Sequence, residues 1–268
     1  MRNRVCHLSS AHERFDTRIF WKECISLAKA YSPVCLIVAD GKGSDEAHGV
    51  AIIDVGKPTS RYQRMFSLGF RVYKAAVKLD ADIYHIHDPE LLPYAYLLKR
   101  KGKRVIFDAH EDLPVQVLSK RYIPSPFRKS VSIAAGKLEA SICRKLDAVV
   151  AATPFIENKF KAYGCSVISA CNFPLMSEFG GETLPSAERE LKLAYVGGIT
   201  MNRGISEVLS ALGALGDVRL NLAGRFMNSE IEKMITSMPE WSKVDYVGQV
   251  GRQEVRSILS HSCAGLVT

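Results

Sequence analysis

Apolar and polar positions follow two rhythms along the chain. Short apolar runs read as buried strands, and the stretches between them carry apolar residues at three- and four-residue spacing, the mark of amphipathic helices. Strands are predicted at Arg4–Leu8, Val34–Ala39, Val50–Val55, Asp82–Ile86, Arg104–Phe107, Ala148–Ala152 and Val167–Ala170. Helices are predicted at Ile19–Tyr31, Tyr62–Leu79, Lys129–Arg144 and Pro154–Tyr163. Another is opened by His87-Asp88-Pro89 and runs to Arg100. Proline suits a first helical position, where its missing N–H would have no partner. The stretch Leu113–Phe127 holds three prolines and reads as irregular. Strands alternating with helices predict a parallel sheet covered on both faces.

Residues Phe173–Glu190 break the rhythm with Pro174, Gly180-Gly181 and Pro185. They read as a linker. A second block then starts, with strands at Leu191–Val196, Val218–Ala223, Val244–Val247 and Ala264–Val267. Its helices are Ile205–Leu215, Ser229–Ser237 and Gln253–Ser260. The expected fold is α/β, with two Rossmann-like domains facing a cleft. Domain boundaries fall at 1–173, a linker at 174–190, and a second domain at 191–268. Ligands of such sheets bind outside the carboxyl ends of the strands. The final predicted strand has no helix after it, so the second domain is expected to be incomplete.

Composition is ordinary for a globular chain: 268 residues, 47% apolar and 24% charged. No apolar run has the length of a membrane span. The N-terminal residues read as a first strand and not as a secretion signal. Seven scattered cysteines without C-x-x-C spacing point to reduced, mostly buried thiols in a cytosolic protein and to no zinc site. Charge changes the picture more. Residues 1–175 hold 27 Lys and Arg against 17 Asp and Glu, and residues 176–268 hold 9 against 11. A basic first domain suits an anionic membrane surface or a phosphate-bearing substrate. No nucleic-acid signature accompanies the charge. The densest run, Lys99 to Arg104, reads first as a solvated helix end and turn.

Candidate chemistry gathers at predicted strand ends. After the first strand, His12, Asp16 and Arg18 precede a helix. Asp16 is equally a cap or a functional group. At the end of the fourth comes His85-Ile86-His87-Asp88-Pro89-Glu90. Two histidines on one face suggest a metal pair, but no third ligand stands at a recognisable spacing, and the preferred reading is a helix cap by Asp88 with His87 at the solvent edge. One strand later stands Asp108-Ala109-His110-Glu111-Asp112, where a histidine can contact a sugar hydroxyl or assist proton transfer. In the second block, Gly197-Gly198 and Arg203-Gly204 join strand to helix. Glycine permits close backbone approach, and a helix start attracts anions. Gly224-Arg225 and Gly248 end the next two strands, so a backbone-lined ligand floor is expected. Neither a dinucleotide fingerprint nor a P-loop is present. No Asp-x-Asp run suits a metal–diphosphate site.

These motifs in this order resemble the family-4 retaining glycosyltransferases of GT-B fold, in the subgroup that builds capsule, O-antigen and other bacterial surface polysaccharides. The resemblance rests on Ser9 to Lys29, His85-Ile86-His87-Asp88-Pro89, Asp108 to Glu111 and Thr153-Pro154 on the acceptor side. On the donor side it rests on Tyr195 to Gly204, Leu222-Ala223-Gly224 and Val247-Gly248. It implies transfer of a sugar, with retention, from a nucleotide-diphosphate sugar to a glycan or polyprenyl-phosphate-linked acceptor. His110 matches the cleft histidine beside the transferred sugar. His12, Asp16, Arg18, His87, Asp88 and Glu111 lie on the acceptor side. Gly197, Gly198, Arg203, Gly204, Gly224, Arg225 and Gly248 lie on the donor side.

Arg203 matches a lysine-type cation on the donor phosphates, and Gly198 stands where many members carry arginine. No cofactor and no obligatory metal are implied. The family's Glu-x7-Glu-type segment is missing, so weak or no transfer is expected of this chain. Alternatives are a non-catalytic remnant or binding subunit and a nucleotide-sugar epimerase of the same fold. The expected place is the cytoplasm, peripheral at the inner face of the membrane. Residues 113–128 and the helix after them would face the lipid, with Lys120, Arg121, Arg128 and Lys129 near its charge.

Overall fold

The computed structural model describes residues 3–60, 63–120, 123–174, 185 and 188–268. Two units divide the chain, Met1–Phe173 and Pro174–Thr268. Both are built from strands alternating with helices, as the pattern predicts.

The strands of the first unit are β1 (Val5–Leu8), β2 (Val34–Val38), β3 (Asp45–Ala47), β4 (Val50–Asp54), β5 (Ile83–Ile86), β6 (Arg104–Ala109), β7 (Ala148–Ala151) and β8 (Val167–Ser169). Their order is β3-β4-β2-β1-β5-β6-β7-β8. All neighbours run parallel except β3 against β4. Side chains alternate between the two faces of a strand. One face sends Cys6, Leu8, Tyr84, Ile86, Val105 and Phe107 into a core with Leu68, Val72, Leu92 and Phe160. The other sends Val5, Val34, Leu36 and Ile52 against Ile19, Phe20 and Cys24. Each such aliphatic side chain contributes about 1.5–3 kcal/mol when fully buried.

Three local differences from the sequence reading have physical causes. The predicted helix at Ile19 begins as a wide turn over Ile19–Cys24, with the Glu23 N–H donating to the Arg18 carbonyl five residues back. Such π-type turns often occur at functional sites. The stretch 113–127, read as irregular, contains the helix Leu113–Ser119 and the start of the helix Ser125–Cys143. Its prolines mark helix starts, because Pro114 and Pro126 occupy first-turn positions whose N–H groups would be orphans anyway. The short strand β3 was hidden by its own charge. Asp45 and Glu46 sit exposed on a sheet edge, where charge discourages pairing with other chains.

The second unit holds β9 (Glu190–Val196), β10 (Arg219–Ala223), β11 (Val244–Gly248) and β12 (Ser262–Gly265), ordered β11-β10-β9-β12 and all parallel. Its core packs Tyr195, Leu220 and Leu222 against Ile205, Leu209, Leu212, Ile231 and Ile235. The last strand starts two residues before the predicted Ala264–Val267, and Val267 lies fully exposed beyond it. The linker expected at 174–190 falls mainly outside the described residues, and Glu190 already belongs to β9.

Candidate active site

The polar centre of the first unit follows from strand register. His7 on β1 pairs directly with His85 on β5. Period-two alternation turns both away from the Tyr84 and Ile86 core. His87 follows β5 on the same face, and Asp108 near the end of β6 reaches it, Nδ1 of His87 lying 3.3 Å from Oδ2. The wide turn Ile19–Cys24 lies over this face. It brings in Arg18 and Glu23, joined by a 3.0 Å ion pair.

Arg18 grips Asp108 with two parallel bonds, Nε to Oδ2 at 2.9 Å and Nη2 to Oδ1 at 2.8 Å. Its Nη1 donates to the Ala170 carbonyl. Glu23 Oε1 takes the Arg18 contact, whereas Oε2 points among three imidazoles. It lies 3.9 Å from His7 Nδ1, 3.7 Å from His85 Nδ1 and 3.8 Å from His87 Nε2. His7 Nδ1 and His87 Nε2 are 2.9 Å apart. Burial, with the nearby Asp108 charge, pushes the Glu23 carboxyl up to about 10. Burial lowers His85 to about 3 and His7 well below the usual histidine range.

Above this layer a cavity of about 230 Å³ opens, lined in part by His12, His87, Asp88, Glu90, His110 and Glu111. Asp88 organises its floor. Its Oδ2 accepts from Ser9 Oγ at 2.9 Å and from the backbone N–H groups of Ser10 and Ala11 at 2.6 and 3.2 Å. His12 Nδ1 lies 3.1 Å from the other oxygen. Burial opposes ionisation of Asp88, but His12 and the loop donors overcome it and hold the carboxyl at about 2. His110 stands at the cavity wall with Nε2 3.4 Å from Asp108. Burial is the main cause that lowers it to about 4, so it is neutral at pH 7 and able to accept a proton or a hydrogen bond. Glu139, buried and also lining the cavity, shares Lys159 with Asp112 at 2.6 and 3.1 Å.

The second unit gathers its glycines at one sheet edge. The Gly197 N–H donates to the Ala223 carbonyl, and the Gly224 N–H to the Gly248 carbonyl. The Ile199 N–H donates to the Arg225 carbonyl, leaving the Arg225 side chain exposed. Contact is so close that a Cβ on Gly224 would lie 1.8 Å from the Gly197 carbonyl oxygen. Arg203 folds over the same turn, its Nη1 2.9 Å from where a Gly197 Cβ would be. Gly204, at φ +63°, ends the short turn Met201–Arg203 and starts the helix Ile205–Gly213, which no side chain caps. A Cβ on Gly198 would meet nothing within 4 Å, and the residue is exposed. The glycine edge therefore presents backbone, a helix start and two exposed guanidiniums, Arg203 and Arg225, a combination suited to an anionic ligand.

Residues 23–169, more than half of the chain, match the model of Glycosyltransferase Family 4. The chain belongs to that family. No curated protein matches this glycosyltransferase with significance. Several solved structures share its fold. Sucrose-phosphate synthase from Thermosynechococcus elongatus aligns at TM-score 0.73 and 14% identity, over 98% of this chain and 75% of that one. HepE from Anabaena, in complex with UDP and glucose, aligns at 0.68 and 13%, over 97% and 72%. The α,α-trehalose 6-phosphate synthase from Burkholderia multivorans aligns at 0.67 and 14%, over 100% and 78%.

The positions of the sequence-derived site residues in this glycosyltransferase can now be separated. His12, His87, Asp88, His110 and Glu111 converge on one cavity. Asp16 does not join them. Its carboxylate accepts from the Arg18 and Ile19 N–H groups, which is the capping alternative. Arg18 was expected at the open sheet edge but is buried under it, committed to Asp108 and Glu23. The third partner missing for the His85 and His87 pair exists after all. It comes from His7 and Glu23, which no local spacing connects to them. The available signal was the polar His7 inside an otherwise apolar first strand.

Proposed function

We propose that the chain transfers a sugar from a nucleotide-diphosphate sugar to a glycan acceptor, with retention at the anomeric carbon, in cell-surface polysaccharide synthesis. Family membership supplies the reaction class. The observation that carries the reading further is the glycine edge of the second unit, with Arg203 folded across Gly197. A pyrophosphate there meets the exposed guanidinium and the uncapped helix start at Gly204. These supply positive charge to the departing diphosphate without a metal on the phosphates. HepE was solved with UDP and with UDP-glucose, which makes a uridine-diphosphate sugar the first donor to try.

The acceptor side of the proposal is the cavity of the first unit. Neutral His110 and the carboxylate of Glu111 can order sugar hydroxyls there. The acceptor is proposed to be lipid-linked, with the chain working at the cytoplasmic surface of an anionic membrane. Support comes from exposed Val115, Leu118, Phe127, Val131 and Leu138, close in sequence to Lys120, Arg128 and Lys129. Among the described residues no helix is long and apolar enough to cross a membrane.

The test is a titration of the chain with UDP and UDP-glucose in chelator, followed by mass spectrometry of donor and acceptor mixtures. Saturable UDP binding and acceptor-dependent release of UDP are expected. Donor conversion without any acceptor would replace transfer with epimerisation. No binding of any nucleoside diphosphate would overturn the reading.

A further inference from the structure

The layer beneath the cavity is not explained by sugar transfer. We propose that His7, Glu23, His85 and His87 form a closed, four-coordinate site for a divalent transition-metal ion, with zinc as the ion their donor set suits. This inference does not depend on which sugar, or whether any sugar, is transferred.

Four donors gather about one point, where His7 Nδ1 and His87 Nε2 now stand at hydrogen-bond distance, 2.9 Å, and would part to admit an ion. Each of the four residues offers a ligand atom, and these atoms all lie within 4.8 Å of one another. Glu23 Oε2 sits 3.7–3.9 Å from three imidazole nitrogens. That is too far for hydrogen bonds, which end near 3.2 Å. It is close to the spacing of about 3.4 Å between ligands of one tetrahedral zinc ion. Glu23 Oε2 is buried without a hydrogen-bond partner. Buried carboxylate oxygens are rarely left so. The set of three imidazoles and one carboxylate favours zinc among the common ions, because magnesium and calcium take oxygen ligands.

The surroundings support a cation. Arg18 Nε holds Glu23 Oε1 at 3.0 Å and leaves Oε2 facing the shared point. His87 also shows the outer contact of metal-bound histidines. With Nε2 toward the shared point, its Nδ1 faces Asp108 at 3.3 Å. A carboxylate in that position fixes the tautomer and ring orientation of a ligand histidine. The ligands come from β1, the residue after β5, β5 itself and the turn Ile19–Cys24. An ion would therefore tie that turn to the sheet and hold the cavity floor in place.

The test uses the full chain without a histidine tag, stripped with chelator and titrated with Co²⁺ and then Zn²⁺. Expected results are about one equivalent bound and the intense visible absorption of four-coordinate cobalt, erased by zinc. Glu23→Gln and His85→Gln should each weaken binding by at least about a hundredfold, beyond the tenfold or more typical of losing an outer contact. His48→Gln, an exposed histidine outside the cluster, should bind as the parent does. The folded parent failing to take up cobalt would overturn the site. So would uptake that survives Glu23→Gln and His85→Gln. If either variant does not fold, the parent's stoichiometry and cobalt spectrum decide, six-coordinate absorption counting against the site.

Discussion

Arg18 and Asp108 stand ninety residues apart in sequence and meet through two parallel hydrogen bonds of 2.9 and 2.8 Å. Both are buried. The pair joins the turn after β1 to the end of β6, and Asp108 in turn faces His87 and His110. One guanidinium thus positions the histidine proposed to meet the acceptor.

Arg18→Ala should destabilise the first unit strongly. Removing one partner of a buried ion pair leaves an uncompensated charge, at a cost of about 3–5 kcal/mol. Asp108→Asn should be costly for the same reason. The double variant should lose less than the sum, with a coupling of about 0.5–3 kcal/mol. Urea unfolding of the four proteins measures the cycle. A change below about 0.5 kcal/mol in Arg18→Ala would show the pair to be ornamental.

The fold was legible because period carries it. Buried parallel strands read as apolar runs, and helices between them show a spacing of three and four. The site was legible where it lies in one short segment, as with His87-Asp88 or Gly197-Gly198. It was hidden where parallel pairing assembles it. His7 and His85 are register partners, yet nothing in local spacing joins residue 7 to residue 85. Arg18 was misplaced because a charged residue after a strand suggests an open edge. The wide turn instead folds it inward onto Asp108. Pro114 and Pro126 were read as breakers because sequence does not distinguish a first-turn proline from a loop proline without its cap.

Two glycines of the second unit should respond oppositely to a methyl group. Gly224→Ala places a Cβ 1.8 Å from the Gly197 carbonyl oxygen, so the strand ends must part. Overpacking of this kind costs about 1–3 kcal/mol, and more where backbone is the obstacle. Gly198→Ala meets nothing within 4 Å and should leave stability within about 0.5 kcal/mol of the parent. Thermal unfolding compares them. Equal melting temperatures would mean that the glycine edge is looser than described.

Arg203→Ala should weaken UDP binding with the fold unchanged. A charge-assisted hydrogen bond contributes about 1.5–3 kcal/mol, which corresponds to a loss of about 10- to 150-fold. Arg203 is exposed, so the lower part of that range is expected at physiological salt. Calorimetry in chelator gives the number. Unchanged affinity would remove Arg203 from the donor site.

His12 should make part of the cavity rim sensitive to pH. The hydrogen bond to Asp88 raises its pKa above the ordinary histidine value, although partial burial opposes this. A folded value above the unfolded one means that the native state holds the proton more tightly. The stabilisation is full below about pH 6.5 and is lost as pH rises through the folded value. His12→Gln should therefore be clearly less stable than the parent near about pH 5.5, with the gap narrowing toward about pH 8.5. A gap that does not change with pH, or that widens on the alkaline side, would contradict the pairing.

The surface around the helix Ser125–Cys143 should bind anionic vesicles through two separable contributions. Phe127, Val131 and Leu138 are exposed, with 62% of Phe127 open to solvent. Lys120, Arg128 and Lys129 lie nearby in sequence, and Arg121 of the same basic group lies outside the described residues. Each basic side chain near such a surface contributes about 1 kcal/mol, which salt screens away. Neutralising all four to Gln should therefore cost about a hundredfold or more at low salt and little at high salt. Phe127→Ser should remove a contribution of about 1.5–3 kcal/mol that persists at high salt, because it comes from apolar burial in lipid. Sedimentation with phosphatidylglycerol vesicles at two salt concentrations separates the two. If the four-site variant and Phe127→Ser both sediment like the parent at low salt, this face does not meet the membrane, and the acceptor must reach the cavity from solution.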